Sequence, residues 1–350
     1  MPRSRFIIRF EEDGMKQKNI LKLLAGMAGL GIALGAATVH ASPEQDRQEL
    51  IKYYTSKNPN VKIEDYVYGA LAFDADSKAQ YDAIMEFPPY EATIETGRKM
   101  WETPFKNGKT YADCLPSGGK QIAGNYPMFD DAKGKVVTLH DAINDCRTAN
   151  GEAAYKVDDM KTMGVLTSYM RTLSDGMLVN IKVEGPKAMA AYQDGKTTFF
   201  GRRGQLNFAC ASCHVQNAGV RLRSELISPA IGHTVHWPVF RGGDNLTTLQ
   251  QRYSGCFRMV RGVPAAQGSA TMNNLEYFHS SLSNGLPMKA SVFRKEDARR
   301  RVRKARAAGL FHFLEPIFVH GLELLFTRCT LSTDNIKNTI TLFSRSLPCT

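Results

Sequence analysis

The chain has 350 residues, enough for two domains, and 43% of them are hydrophobic, an ordinary share for a globular protein. Its net charge of +11 is concentrated at the two ends, because residues 42–295 carry 30 basic and 26 acidic side chains, a net charge of only +4. This balance excludes the strongly basic surface of a nucleic-acid-binding protein. It is compatible with a local positive patch for an anionic substrate.

Residues 1–41 have the pattern of a secretory signal. Three lysines form its charged segment: Lys16, Lys18 and Lys22. An apolar stretch rich in glycine and alanine follows at 23–37, and residues 39–41 resemble a small-x-small cleavage site. Met15 would begin a signal of normal length, so residues 1–14 are expected to lie upstream of the true start. The alternative is an uncleaved anchor, although the apolar stretch is short and glycine-rich for a membrane span.

The spacing of apolar residues predicts a mostly α-helical chain in which strand-like alternation is scarce. The predicted helices lie at 44–52, from 91 onward, and at 138–150, 156–174, 188–192, 195–211, 246–253 and 273–284. Gly285 and Pro287 are expected to end the last of these helices.

The helix predicted at 195–211 runs into Cys210-Ala211-Ser212-Cys213-His214, the C-x-x-C-H pattern of c-type haem attachment. Each thiol adds to one vinyl group of the haem, and the adjacent histidine reaches the iron as its proximal ligand. The alternatives are a structural disulfide, a thioredoxin-like redox pair and half of a zinc site. A zinc site needs a second C-x-x-C or a histidine pair, and neither occurs nearby. The motif therefore predicts haem and, with it, export to the periplasm of a Gram-negative bacterium.

A c-type haem iron usually takes a sixth ligand from elsewhere in the chain. Seven side chains downstream of the motif are candidates: His233, His236, Cys256, Met259, Met272, His279 and Met288. Their spacing alone does not choose between them.

The residues around the motif carry a resemblance to a known family. The segments concerned are 199–209 before the motif, and 228–241, 249–256 and 274–287 after it. Together they closely resemble the SoxA family, the catalytic cytochrome subunit of the SoxAX complex of thiosulfate oxidation. The resemblance covers about residues 44–295 and implies two tandem cytochrome c-like domains. We place the N-terminal domain at 42–185 and the haem-binding domain at 186–295.

The resemblance also implies roles for individual residues. Cys210 and Cys213 would attach one haem c, and His214 would be its proximal ligand. Cys256 matches the family's distal haem ligand and catalytic cysteine, which is found as a persulfide, and Arg252 matches the arginine that binds substrate. His233 and His236 match no assigned role, and packing near the haem edge is the simpler interpretation for both.

The chemistry of Arg252 and Cys256 agrees with those roles. A cysteine is nucleophilic as its thiolate, which a nearby cation favours. In a helix the two residues would share one face at i, i+4 spacing, and a guanidinium can grip a sulfonate with two parallel donors. The alternative interpretations are a small buried cysteine and a solvated surface arginine.

Some members of the family carry a second haem in the N-terminal domain, and others have a disulfide there. Cys114 occupies the equivalent place without the rest of a haem motif, and Cys146 stands where the distal ligand of that haem would be expected. In an oxidising compartment the resemblance therefore implies a Cys114–Cys146 disulfide and one haem only. Two free buried thiols are the alternative.

Residues 296–350 begin with a dense basic cluster and continue as an apolar stretch without helical or strand periodicity. One interpretation is an extension that binds a membrane or a partner. The other, which we favour, is read-through or a frameshift beyond the natural stop.

By this resemblance the function is that of an L-cysteine S-thiosulfotransferase subunit, which couples thiosulfate to a cysteine of the carrier SoxYZ. Electrons would leave through the cytochrome subunit SoxX to an external cytochrome c. A plain monohaem electron carrier would instead use a Met or His ligand and need no Cys256. A binding module would only dock SoxX and the carrier.

Overall fold

The computed structural model describes residues 41–222, 225–241, 245–290 and 293–294. The predicted signal sequence, apart from its last residue, and the predicted basic tail lie outside these residues. From Pro43 onward the described residues belong to one compact unit. Within the described ranges no helix combines the length and the apolar character that crossing a membrane requires.

Helices supply most of the regular structure, which confirms the prediction of a mostly α-helical chain. The α-helices are α1 (Pro43–Lys57), α2 (Ala75–Met85), α3 (Glu91–Glu102), α4 (Tyr111–Cys114), α5 (Leu139–Ala149), α6 (Val165–Thr172), α7 (Gly185–Phe200), α8 (Cys210–His214), α9 (Leu249–Met259) and α10 (Ala270–Ser281). The 3₁₀ segments are Ile63–Phe73, Pro116–Gly119, Ala123–Asn125 and Thr234–His236, and a π-helical turn at Met160–Gly164 precedes α6.

The strands have only two or three residues each. They are β1 (Met128–Asp130), β2 (Lys135–Val137), β3 (Arg221–Leu222), β4 (Glu225–Leu226), β5 (Val239–Arg241), β6 (Asn245–Thr247) and β7 (Phe293–Arg294). The pairs β1–β2, β3–β4 and β5–β6 are antiparallel, and β7 runs parallel to β5. These short ladders fix turns between the helices rather than form a layer of their own.

Two helix pairs, α3 with α6 and α7 with α10, pack closely. Glycine allows each approach: a Cβ on Gly97 would lie 2.7 Å from the Val165 carbonyl oxygen, and one on Gly195 would lie 2.0 Å from that of Asn274. Real Cβ atoms do not come so near a carbonyl oxygen, so a larger residue at either position would push the helices apart. The pair α7–α10 matters most here, because α7 leads into the haem motif.

The same order of elements occurs twice in the described chain. A short hairpin, a capping threonine and a helix follow one another as β1, β2, Thr138 and α5, and again as β5, β6, Thr248 and α9. Each threonine side chain accepts a hydrogen bond from the backbone N–H three residues on, which starts the helix. Each helix carries a cysteine eight residues after its threonine, Cys146 in α5 and Cys256 in α9.

Three predicted helices differ from the structure. The helix expected at 195–211 ends at Phe200, because the backbones of Arg203 and Phe208 bond to each other in a turn that Gly204 permits at φ +68°. The helix expected at 246–253 begins only at Leu249, since Thr248 caps it and residues 245–247 form β6. The helix expected at 156–174 begins with the π-helical turn and becomes α-helical at 165–172.

Candidate functional site

A cavity of about 370 Å³ brings together five of the predicted site residues. They are Cys210, Cys213, His214, Arg252 and Cys256. Helix α8 supplies the first three and α9 the last two, so one wall presents the haem motif and another the predicted catalytic pair. The volume falls within the range of ligand-binding pockets.

The haem motif is held so that its histidine can act as a metal ligand. Helix α8 begins where the Ala209 N–H donates to the Ser212 hydroxyl at 3.1 Å. The His214 Nδ1–H donates to the Ser228 carbonyl oxygen at 2.9 Å. This bond selects the tautomer that leaves Nε2 free to bind iron. With two free thiols at Cys210 and Cys213, the donor set fits a covalently attached haem.

Burial sets the protonation states of the motif. It lowers the pKa of His214 to about 4, so the imidazole is neutral at pH 7, as metal binding requires. It raises the pKa of the Cys210 thiol to about 12. For Cys213, burial and the neighbouring Cys256 raise the pKa, whereas the Arg252 guanidinium opposes the rise. Both members of the predicted catalytic pair therefore influence the pKa of Cys213 in the motif.

The N-terminal half of the chain also builds this site, which the sequence did not reveal. The buried Tyr54 hydroxyl on α1 donates to the His214 carbonyl oxygen at 2.5 Å and accepts from the Ala230 N–H at 3.0 Å. Residues from the 3₁₀ segment and α2 complete the cavity wall: Ala70, Leu71, Ser77, Gln80, Tyr81 and Ile84. No local motif marks these residues, and the only signal in the sequence that could have found them is the apolar run at 67–73.

Helix α9 presents both members of the predicted catalytic pair to the cavity. Arg252 and Cys256 stand one turn apart, and both are partly buried. The Cys256 thiol is free. The Arg252 side chain makes no hydrogen bond or ion pair with the described part of the chain, and none of the cavity-lining residues is acidic. A positive charge without a partner therefore points to an anion as the ligand here.

The structure narrows the set of predicted sixth ligands. Cys256, Met259 and three histidines line the cavity: His233, His236 and His279. Met272 and Met288 are buried elsewhere and are not among its lining residues.

Two of these histidines already have protein partners at Nδ1. His279 pairs with the Tyr253 hydroxyl at 2.8 Å, and His236 with the Val67 carbonyl oxygen at 3.1 Å. The ring of His233 lies 4.4 Å from that of His214, centre to centre. Burial lowers the pKa of His279 to about 3 and holds that of His233 well below its usual range. Both rings are therefore neutral at pH 7, in keeping with the packing role expected of His233.

Cys114 and Cys146 form a disulfide, with Cα atoms 5.7 Å apart. Aromatic side chains fill the space beside it: Trp101 stacks on Tyr111 at 5.4 Å, and Phe105 meets the Tyr111 edge at 4.8 Å. The part of α5 that faces this cluster is thus packed with side chains.

A mostly helical fold with a C-x-x-C-H helix beside a ligand-sized cavity defines a c-type cytochrome. Comparison with known proteins agrees: a family model described as "SoxA/TsdA, cytochrome c domain" matches residues 96–179. This match implies haem c, although it falls N-terminal to the motif itself.

The chain belongs to the SoxA family. It is 40% identical over 272 residues to the L-cysteine S-thiosulfotransferase subunit SoxA of Allochromatium vinosum, covering 77% of this chain and 96% of that protein. It is 42% identical over 244 residues to the protein of the same name from Chlorobaculum tepidum, covering 69% and 85%. Among solved structures, SoxXA from P. pantotrophus matches with a TM-score of 0.54 and 29% identity, over 59% of this chain and 79% of that one.

Proposed function

We propose that this chain is an L-cysteine S-thiosulfotransferase subunit that couples thiosulfate oxidatively to a cysteine of a SoxYZ carrier. The observation that carries the proposal is the position of Cys256 and Arg252, which stand together on α9 and open onto the cavity of the haem motif. The names of the SoxA relatives support the same activity.

The residues of the cavity fit a haem that Cys210 and Cys213 would hold covalently and whose iron His214 and Cys256 would ligate. Such a group supplies a one-electron redox centre next to the reacting sulfur. The free Nε2 of His214, set by the bond to Ser228, supports this assignment. The persulfide on Cys256 is the state that the family resemblance implies.

Arg252 would bind the substrate. Thiosulfate is a dianion with a terminal sulfonate, and a guanidinium can donate two parallel hydrogen bonds to two sulfonate oxygens. Because no acidic residue lines the cavity, the positive charge of Arg252 is not neutralised from within the site. Binding there would direct the sulfane sulfur, the other end of thiosulfate, toward Cys256 one turn away.

The covalent step proceeds in two stages. The reactive sulfur on Cys256 forms a sulfur–sulfur bond to the sulfane sulfur of thiosulfate, and two electrons leave. The carrier thiolate then attacks that sulfane sulfur and displaces the sulfur of Cys256, which returns to its starting state. The carrier cysteine ends with the whole thiosulfate group attached. SoxX and then an external cytochrome c would accept the two electrons, one at a time.

We further propose that the chain holds one haem c and that residues 42–185 are a cytochrome c-like domain that has lost its own. The repeated order of hairpin, capping threonine and helix supports this, because it gives Cys146 the position that Cys256 has in the other half. The disulfide to Cys114 and the aromatic cluster beside it would fill the space that a haem would need there. The family-model match at 96–179 is consistent with a cytochrome origin.

The proposed partners and location follow from the same function. The similarity to a SoxXA structure supports a SoxX-type subunit as the partner. Haem attachment through C-x-x-C-H takes place outside the cytoplasm, so we assign the mature protein to the periplasm, after removal of the signal predicted at 1–41.

The test is a coupling assay with SoxX, SoxYZ and oxidised cytochrome c, in which the intact mass of the carrier is recorded. Wild type should add one thiosulfate group to the carrier for every two cytochromes reduced. Cys256→Ala should abolish this addition while the covalently bound haem is retained. If Cys256→Ala couples thiosulfate at the wild-type rate, the chain is a plain electron carrier and the proposed function is wrong.

A further inference from the structure

Charge is unevenly distributed between the site and the rest of the protein. Residues 195–224 and 245–275, which include the haem motif and α9, contain eight basic side chains and no acidic one. The rest of 42–295 contains 22 basic and 26 acidic side chains. The nearly neutral total therefore conceals a positive region, in which Lys196 and Arg221 pair with Asp46 and Asp74 of an acidic remainder.

Two segments of this positive region pack into one continuous surface. The loop at 201–208 lies against the end of α9, where the Leu206 N–H donates to the Val260 carbonyl oxygen at 3.2 Å. Gly204 makes the contact possible, since a Cβ there would lie 2.1 Å from the same oxygen. Arg203 also covers the Phe257 ring, with its guanidinium carbon 4.7 Å from the ring centre. The loop and the helix end are thus held as a unit.

The exposed part of this unit includes both basic and apolar side chains. Six of them, which we call the arginine–apolar surface, are Arg202, Leu206, Arg258, Met259, Arg261 and Val263. Leu206 is 44% exposed, Met259 45% and Val263 93%. Protein interfaces are enriched in arginine and methionine and depleted in acidic residues and lysine. A cluster of exposed apolar side chains rimmed by charge is the usual mark of a protein-binding site.

This surface borders the reactive cysteine. Met259, the last residue of α9, and Val260 follow Cys256 by three and four residues, and all three line the cavity. A macromolecule that rested on the surface would therefore place a protruding thiol at the cavity mouth. Thiosulfate itself is too small to contact these six exposed side chains, five of which do not line the cavity.

We propose that the arginine–apolar surface docks the thiol-bearing carrier through an acidic face of the carrier that surrounds its reactive cysteine. The inference rests on the proposed function, because it assigns the second substrate of that reaction to a place on the molecule. Charge complementarity selects an acidic partner, and the exposed apolar side chains select a protein rather than a small anion. Steering by the positive region would also speed the encounter at low ionic strength.

Two sets of variants test the surface without touching the catalytic pair. Arg258→Glu with Arg261→Glu reverses two exposed charges, and Lys62→Glu with Lys135→Glu is the matched reversal at two exposed lysines elsewhere. We expect the first pair to raise the KM for the carrier at least about tenfold. The KM for thiosulfate should change less than about twofold, and the matched pair should leave both values at wild type.

Two substitutions at Val263 give a second comparison. The Val263 side chain is almost wholly exposed, so we expect both variants to fold like wild type. Val263→Asp should raise the KM for the carrier, whereas Val263→Lys should leave it unchanged or lower it. Increasing salt should raise the KM of wild type and have a smaller effect on the arginine reversal.

The outcomes separate this inference from the proposed function. If wild type couples no thiosulfate, the proposed function fails. If wild type couples but the arginine reversal and Val263→Asp keep its KM for the carrier, the docking surface is wrong. Release of the cytochrome partner subunit from these variants on gel filtration, with an unchanged carrier KM, would also overturn it, since the surface would then be the subunit interface.

Discussion

Tyr54 donates a hydrogen bond to the carbonyl oxygen of His214 across 160 residues of sequence. The same hydroxyl accepts a hydrogen bond from the Ala230 N–H. One buried side chain of α1 therefore contacts both the haem motif and the loop at Ala230. The N-terminal part of the protein therefore helps to fix the proximal side of the site.

Removing this hydroxyl should weaken the folded state. Tyr54→Phe keeps the ring but removes both hydrogen bonds of the hydroxyl, while the Ala230 N–H keeps its 2.9 Å bond to the His214 carbonyl oxygen. We therefore expect a loss of about 0.5–1.5 kcal/mol in the free energy of unfolding. Tyr53→Phe is the matched control, because Tyr53 is the adjacent, partly exposed tyrosine. Urea unfolding followed by far-UV circular dichroism measures both. Equal stability of the two variants would show that the Tyr54 hydroxyl contributes nothing.

Glu276 should make stability depend on pH. Burial raises the pKa of Glu276 to about 7 from 4.5, although a hydrogen bond from Gln250 and the charge of Arg171 oppose the rise. Between these two values the folded protein keeps a proton that the unfolded chain has released, so this group makes folding less favourable as the pH rises through the window. The cost amounts to about 1–3 kcal/mol above pH 7.

Glu276→Gln isolates that effect. Glutamine keeps an oxygen to accept the bond from Gln250 but carries no charge. The variant should be more stable than wild type at pH 8 and no more stable at pH 5, as measured by urea unfolding at both values. Glu49→Gln, at an exposed position of α1, is the control. A stability difference that did not change between pH 5 and pH 8 would contradict the raised pKa of Glu276.

The Cys114–Cys146 disulfide should stabilise the N-terminal half. It joins residues 32 apart, and closing such a loop is worth about 3 kcal/mol. A phosphine reductant should lower the free energy of unfolding of wild type by about that amount. The Cys114→Ala, Cys146→Ala double variant should be less stable from the start and insensitive to the reductant. Reductant sensitivity in the double variant would locate the effect at other sulfur atoms.

Arg252 should act on thiosulfate and not on the carrier. Arg252→Gln removes the charge and the paired donors, so kcat/KM for thiosulfate should fall about 10- to 100-fold. Arg252→Lys keeps the charge without the planar fork and should recover only part of the loss. Lys62→Gln serves as the control for a cation far from the site. Unchanged thiosulfate kinetics in Arg252→Gln would remove Arg252 from substrate binding.

The sequence predicted the parts of the site that local spacing defines. The haem motif has a fixed order of residues, and Arg252 and Cys256 are close because four residues make about one helical turn. The turn at 201–208 escaped prediction because the apolar residues around it continue a helical spacing, while Gly204 and a backbone pair between Arg203 and Phe208 break the helix.

The sequence did not predict the contacts between parts of the site that lie far apart in the chain. Nothing near Tyr54 indicates a contact with His214, and nothing at 70–84 indicates a wall of the haem cavity. Such contacts depend on how the two halves pack. The cavity also showed which predicted sixth ligands reach it, which spacing could not decide.

Coupling of thiosulfate at Cys256 beside a single haem is tested by the intact mass of the purified mature protein before and after one turnover. We expect the mass of the chain with one haem. We also expect that thiosulfate, SoxX and oxidised cytochrome c, without carrier, add a sulfur-containing group that is lost on addition of the carrier and absent in Cys256→Ala. A protein with two haems or none, or a Cys256→Ala variant that gains the same group, would contradict it.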